Sequence, residues 1–176
     1  MCMKKIILTA VLAMFSTFVF AQRYEVVISC EYVPNKCIHK TNGGPIQGQR
    51  VQIWDNVNNN NMRWIMQYVS HNTFILRSIE NPDYVIGLKD GQCHDGSELA
   101  LVRYTGAMTQ KWQYNTNGWR GITSAYSPIW YIFAEVPNGD GDRNNWQMGQ
   151  KLRIHQQDPG GVPFRGRWKI SQLRML

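Results

Sequence analysis

The chain of 176 residues has little of several things, and each shortage removes a class of protein. Helical periodicity is nearly absent from the body of the sequence, which argues against a helix bundle or an α/β layered fold. A single long apolar run occurs, IILTAVLAMFSTFVF near the N-terminus, and no second one follows, so a set of membrane-spanning helices is excluded. Charged residues are 18% of the chain, and the net charge of +7 is spread without any basic run, unlike a nucleic-acid-binding arm. Catalytic signatures are missing as well: there is no nucleophile elbow, HExxH or phosphate loop. The four histidines, His39, His71, His94 and His155, have no metal-ligand or triad spacing. Cys93 and His94 are adjacent, but neighbours in an extended strand point to opposite faces. We therefore expect no enzyme, no cofactor and no metal.

Cysteine is scarce, at four residues, and its use depends on compartment. Residues 1–21 have Lys4 and Lys5, the apolar run, and then Val19-Phe20-Ala21, the pattern of a signal peptide. The run is short for a membrane span. The expectation is an exported protein, extracellular or periplasmic, whose residues 22–176 form a single domain with a sizeable core. Removing Lys4 and Lys5 lowers the formal charge from +7 to +5. Cys30, Cys37 and Cys93 then remain, enough for one disulfide and one thiol. Cys30 and Cys37 flank a Val33-Pro34-Asn35 turn and could face each other across a hairpin; the sequence leaves open whether they bond.

What the sequence does contain is short β-branched and aromatic runs between Asn, Asp, Gly and Pro: YEVVIS, RVQIW, TFILRS, DYVIGL, ELALVRY, WYIFAEV, KLRIH and RWKI. Such spacing predicts an all-β sandwich or barrel. The runs also repeat. Gly48, Gly96 and Gly149 are each followed three residues on by an apolar residue, Val51, Leu99 or Leu152, and later by Trp64, Trp112 or Trp168. The first and third residues of VQIW, LALV and LRIH are apolar, the period-2 mark of a strand with one buried face. The third unit carries an insertion in its DPGGVPF loop. Three units of about four strands each, closing about a pseudo-threefold axis, would bury these faces and remove sheet edges.

Three repeats with a glycine, an apolar pair, a turn and a closing Gln-x-Trp resemble the ricin B-type lectin family of β-trefoils. Gln110-Lys111-Trp112 has the signature intact, whereas Met62-Arg63-Trp64 and Gly166-Arg167-Trp168 keep only the tryptophan. The resemblance covers about residues 23–173. It implies an all-β β-trefoil of three pseudo-symmetric four-strand repeats, with Trp64, Trp112 and Trp168 as structural residues.

It also implies where a sugar would bind. In this family a pyranose stacks on an aromatic after the third strand's apolar pair, and an Asp near the end of the second strand accepts its hydroxyls. A Gln two before the aromatic and an Asn ahead of the repeat's Trp complete the set. Such chemistry suits an apolar C–H face and a rim of hydroxyls. In repeat one these positions are Trp54, Gln52 and Asn61, but the Asp position is His39, with Asp55 or Asn56 as possible substitutes. Trp54 has a second reading, as a side chain packed on a neighbouring strand. Repeat two has Gly87 and Val102 and looks inactive. Repeat three has His155 at the stacking position and Arg153 at the Gln position, with Asp140, Asp142, Asn144 and Asn145 in a nearby loop. That loop is faintly calcium-like but lacks the required glycine and final acid, so a turn held by Asx bonds is expected.

The sequence thus predicts weak carbohydrate recognition, mainly at repeat one, with glycans or polysaccharide as partners and no nucleic acid. The alternative is a protein-binding or protease-inhibitor-like trefoil using an exposed loop such as residues 158–167.

Overall fold

A computed structural model describes residues 22–116, 120–137, 142–157 and 163–176. The proposed signal peptide, Asp140 and loop residues 158–162 lie outside the described residues. Twelve strands follow in order: β1 (Arg23–Cys30), β2 (Lys36–Lys40), β3 (Gln49–Asp55), β4 (Arg63–Ser70), β5 (Thr73–Ser78), β6 (Tyr84–Leu88), β7 (Leu99–Arg103), β8 (Trp112–Asn115), β9 (Gly121–Ser124), β10 (Trp130–Ala134), β11 (Leu152–Gln156) and β12 (Trp168–Met175). All ladders are antiparallel. None of the described helices is long and apolar enough to cross a membrane.

Six strands form the barrel wall in the order β12-β1-β4-β5-β8-β9. The seam between β9 and β12 is bridged by the Trp168 N–H, which donates to the Arg120 carbonyl at 2.6 Å. The other six pair as hairpins, β2–β3, β6–β7 and β10–β11, and cap one end. Backbone bonds at the repeat glycines link these hairpins. Gly48, Gly96 and Gly149 have φ of +78°, +78° and +84°, a conformation that costs a side-chain-bearing residue free energy. Their N–H groups donate to Leu101, Ile154 and Ile53 of another repeat's hairpin at 2.8, 2.9 and 2.9 Å. The glycine spacing read from sequence is therefore the spacing of the pseudo-threefold contacts.

The three repeat tryptophans are fully buried in one core cluster with Ile38, Ile86 and Ile132. Each indole N–H donates to one isoleucine carbonyl: Trp64 to Ile38 at 3.1 Å, Trp112 to Ile86 at 2.9 Å and Trp168 to Ile132 at 2.8 Å. An indole buries a large apolar area, and its donor must find a partner when dry. These bonds supply one in every repeat, as the structural reading required. A short 3-10 turn precedes each tryptophan, at Asn60–Met62, Met108–Gln110 and Phe164–Gly166.

The Cys30–Cys37 expectation is answered by register. Cys37 pairs with Ser29, not Cys30, and it packs with Val27 and Met62 while Cys30 belongs to the main core. Neighbouring residues of a strand face opposite ways, so the two side chains join different clusters and both remain thiols. Burial raises the Cys37 thiol pKa to about 11, with nearby Cys30 and Asp55 adding to the shift.

Candidate functional site

Strand alternation builds the repeat-one site. In the β2–β3 ladder His39 lies opposite Gln52 and Cys37 opposite Trp54, so these four side chains share one face. Ile38, Val51 and Ile53 point the other way, into the core. The His39 ring stacks on Trp54, with centroids 5.5 Å apart and planes tilted by 24°. His39 is buried and Trp54 half-buried. Trp54 is thus a partly open aromatic surface backed by a histidine of the neighbouring strand. Gln52 is buried, and its Oε1 and the Trp54 ring both approach Gly149. Burial, and then the positive charge of Lys40, lowers the His39 pKa from 6.5 to about 4. The imidazole is therefore neutral near pH 7, and its buried Nδ1 has no hydrogen-bond partner among the described residues.

Asn61 is drawn elsewhere. Its Oδ1 accepts from Lys40 Nζ at 2.7 Å and its Nδ2 donates to Asn42 Oδ1 at 2.9 Å. Lys40 is buried on the strand face opposite His39; it also donates to the Gly43 carbonyl at 2.7 Å and meets Glu80 at 2.9 Å. The structure thus brings together His39, Gln52 and Trp54, and commits both polar ends of Asn61 to a loop built on a buried lysine. The sequence reading missed Lys40. Its signal was a lysine at the position where the other repeats carry Leu88 and Ala134. Asp55 and Asn56, the suggested substitutes, have local partners too: Asp55 pairs with Lys36 at 2.7 Å, and Asn56 Oδ1 accepts from the Asn58 N–H at 3.1 Å.

The equivalent places in repeats two and three are filled by the protein itself. A Cβ on Gly87 would lie 2.6 Å from Val102 Cγ2, so the valine occupies the space. Phe133 stands where His39 and Gly87 stand, and His155 packs edge-on against it at 5.3 Å and against Tyr131 at 6.0 Å. His155 Nδ1 also meets Asp95 at 2.6 Å. Arg153 bonds Glu135 at 3.0 Å and the Gly96 carbonyl at 2.7 Å. In the neighbouring loop Asp142 Oδ1 accepts from the Asn144 N–H at 2.9 Å, the Asx turn that was expected. No group of three or more His, Cys, Asp or Glu able to hold a metal occurs among the described residues. Cys93 and His94 sit in the loop between β6 and β7, not in a strand. Cys93 bonds Ser124, with its pKa raised by burial, while His94 Nδ1 contacts the Asp95 carbonyl.

Three hairpins linked by glycine N–H bonds over a six-stranded barrel have close structural counterparts. The designed threefold-symmetric protein ThreeFoil matches with a TM-score of 0.68 and 15% identity, over 86% of this chain and 99% of its own. The chain folds as a β-trefoil. The ricin B-like lectin of Macrolepiota procera, solved in complex with lactose, matches this trefoil with a TM-score of 0.63 and 15% identity, over 86% of this chain and 95% of the lectin. An exo-β-1,3-galactanase from Clostridium thermocellum matches at 0.65 and 17% identity, but the trefoil covers 86% of itself and only 30% of that enzyme. Several other matches are also longer proteins of which the trefoil spans less than half. No family model matches the sequence, nor does any curated protein.

Proposed function

We propose that this β-trefoil is an exported carbohydrate-binding module that recognises a sugar weakly at repeat one, on the outer face of Trp54. The observation that carries the reading is the His39–Trp54 stack. It backs the indole with a second ring and holds it at a fixed angle beside the buried Gln52 amide. A pyranose stacks its apolar C–H face on such a ring, which buries apolar surface on both. Neutral His39 contributes no charge, and Gln52 supplies both a donor and an acceptor. Asn61 completes the set only if it exchanges its Lys40 or Asn42 bond for a sugar hydroxyl. Because each hydroxyl bond replaces one to water, the net gain per bond is about 1 kcal/mol. A single site is therefore weak, and useful affinity comes from several copies or sites acting together. His155, already paired with Asp95, is an accessory contact at most. The module performs no catalysis in this reading. Export is supported by the signal-peptide pattern of residues 1–21. The sugar-bound Macrolepiota neighbour supports the ligand class.

The test is a glycan array of residues 22–176 beside the Trp54→Ala variant. Glycan binding that disappears in the variant supports the proposal. Absence of glycan binding at high protein concentration, together with protease inhibition, would transfer the function to a protein-binding surface.

A further inference from the structure

The pseudo-threefold repeat creates a second family of places, on the barrel wall where the last strand of one repeat meets the first strand of the next. Each is marked by a turn proline, Pro34, Pro82 or Pro128, and by the strand residue five positions earlier, Ser29, Arg77 or Thr123. A third marker is the residue just after the hairpin's second strand: Asn56, Tyr104 or Gln157.

At the seam between β4 and β5 the place is occupied by the protein. The Arg77 guanidinium lies 4.4 Å from the Tyr104 ring centre, Nε donates to Gln67 Oε1 at 2.9 Å and Nη1 donates to the Pro82 carbonyl at 2.5 Å. At the seam between β8 and β9 the arginine is replaced by Thr123 and the tyrosine by Gln157. The space that a guanidinium and a phenol fill elsewhere is here an open cleft of about 480 Å³. That volume lies within the range of roughly 300–1,000 Å³ typical of small-ligand sites. The third seam, between β12 and β1, holds a smaller cleft of about 350 Å³ that includes Lys169.

The β8/β9 cleft has a specific chemistry. Its polar lining is amide and hydroxyl, chiefly Gln113, Thr116, Thr123, Gln157 and Asn72, with no charged side chain among the described residues. Its apolar part is Pro128 and Ile129. Gln113 and Thr123 are held opposite each other in the β8–β9 ladder, and the Gln157 N–H donates to the Ile129 carbonyl at 2.7 Å. Amides and hydroxyls both donate and accept, as sugar hydroxyls do, and the proline and isoleucine offer a surface for C–H groups. None of the described lining residues would neutralise a phosphate, a carboxylate or an ammonium group. The geometry points to a neutral saccharide as the ligand of the β8/β9 cleft, at a site separate from the Trp54 surface. The inference rests on the carbohydrate reading for its ligand class, but not on Trp54.

The test is a two-dimensional amide NMR titration of residues 22–176 with lactose, methyl glucoside and methyl N-acetylglucosaminide. Two groove variants accompany it. Thr123→Arg with Gln157→Tyr transplants the filling of the β4/β5 seam, and Gln113→Ile installs the residue that Ile65 provides there. The spectra themselves report whether each variant folds. We expect saturating shifts at Gln113, Thr116, Thr123 and Gln157 in the wild type and in Trp54→Ala, lost in whichever groove variants fold. Shifts confined to the surroundings of Trp54 would overturn the cleft site and leave the repeat-one reading intact. Shifts confined to the cleft would do the reverse. Cleft shifts that persist in a folded groove variant, or no saturating shift with any of the three sugars, would also overturn it.

Discussion

His39 occupies the place of an acid in the lectin pattern, and burial keeps it uncharged. With the folded pKa lowered to about 4 and the ordinary value at 6.5, the unfolded chain takes up a proton first as pH falls. Stability from this residue is complete above pH 6.5 and is lost as pH drops towards 4. The full loss is on the order of 3 kcal/mol. Urea midpoints measured between pH 7 and 5 should fall in the wild type and fall less steeply in His39→Gln; parallel curves would refute the assignment. Gly87 sits at the matching point of repeat two under a different constraint. Ala at this position would bring its Cβ against Val102 Cγ2, with Gln110 Cγ and the Thr109 carbonyl also close. Gly87→Ala should cost about 1–3 kcal/mol by overpacking, and Val102→Ala in the same chain should recover part of that. Thermal unfolding of the two variants would show the recovery.

At the level of strands and turns, the repeats solve one problem in different ways. Gln110 is buried; its Nε2 donates to the Arg103 carbonyl at 2.8 Å and its Oε1 accepts from the Thr105 and Gly106 N–H groups at 2.9 and 3.2 Å. Met62, its counterpart in repeat one, is an apolar plug beside Val27 and Cys37. Gln110→Ala strands several backbone groups and should destabilise the chain by about 1–3 kcal/mol, readable by chemical denaturation, whereas Met62→Leu should cost less than about 1.5 kcal/mol. The strands and the role of each repeat tryptophan were legible in the sequence, because alternation and spacing are local. The destinations of polar side chains were not. Lys40 finds Asn61 and Glu80 far along the chain, and no local pattern announces that. The Cys30–Cys37 question stayed open in the sequence for a similar reason, since a turn does not specify which residues pair across it.

For the molecule as a whole, closure of the barrel depends on its last strand. β12 pairs with seven residues of β1, and Trp168 both bridges to β9 and fills the core. Glu25 adds a buried carboxylate between Arg63 and Arg174, joining β1, β4 and β12 at 3.1 and 2.6 Å. A chain ending at Arg167 should lose cooperative unfolding altogether, as calorimetry would show by the absence of a transition. Glu25→Ala should keep the transition and lower its midpoint, because two arginines lose a partner. The Leu176 N–H donates to the Arg23 carbonyl at 2.9 Å, so the end of the last strand lies against the start of the first. Joining those ends with a short linker and opening the chain at His71-Asn72, between β4 and β5, should give a circular permutant with the same architecture, a trefoil whose second third comes first.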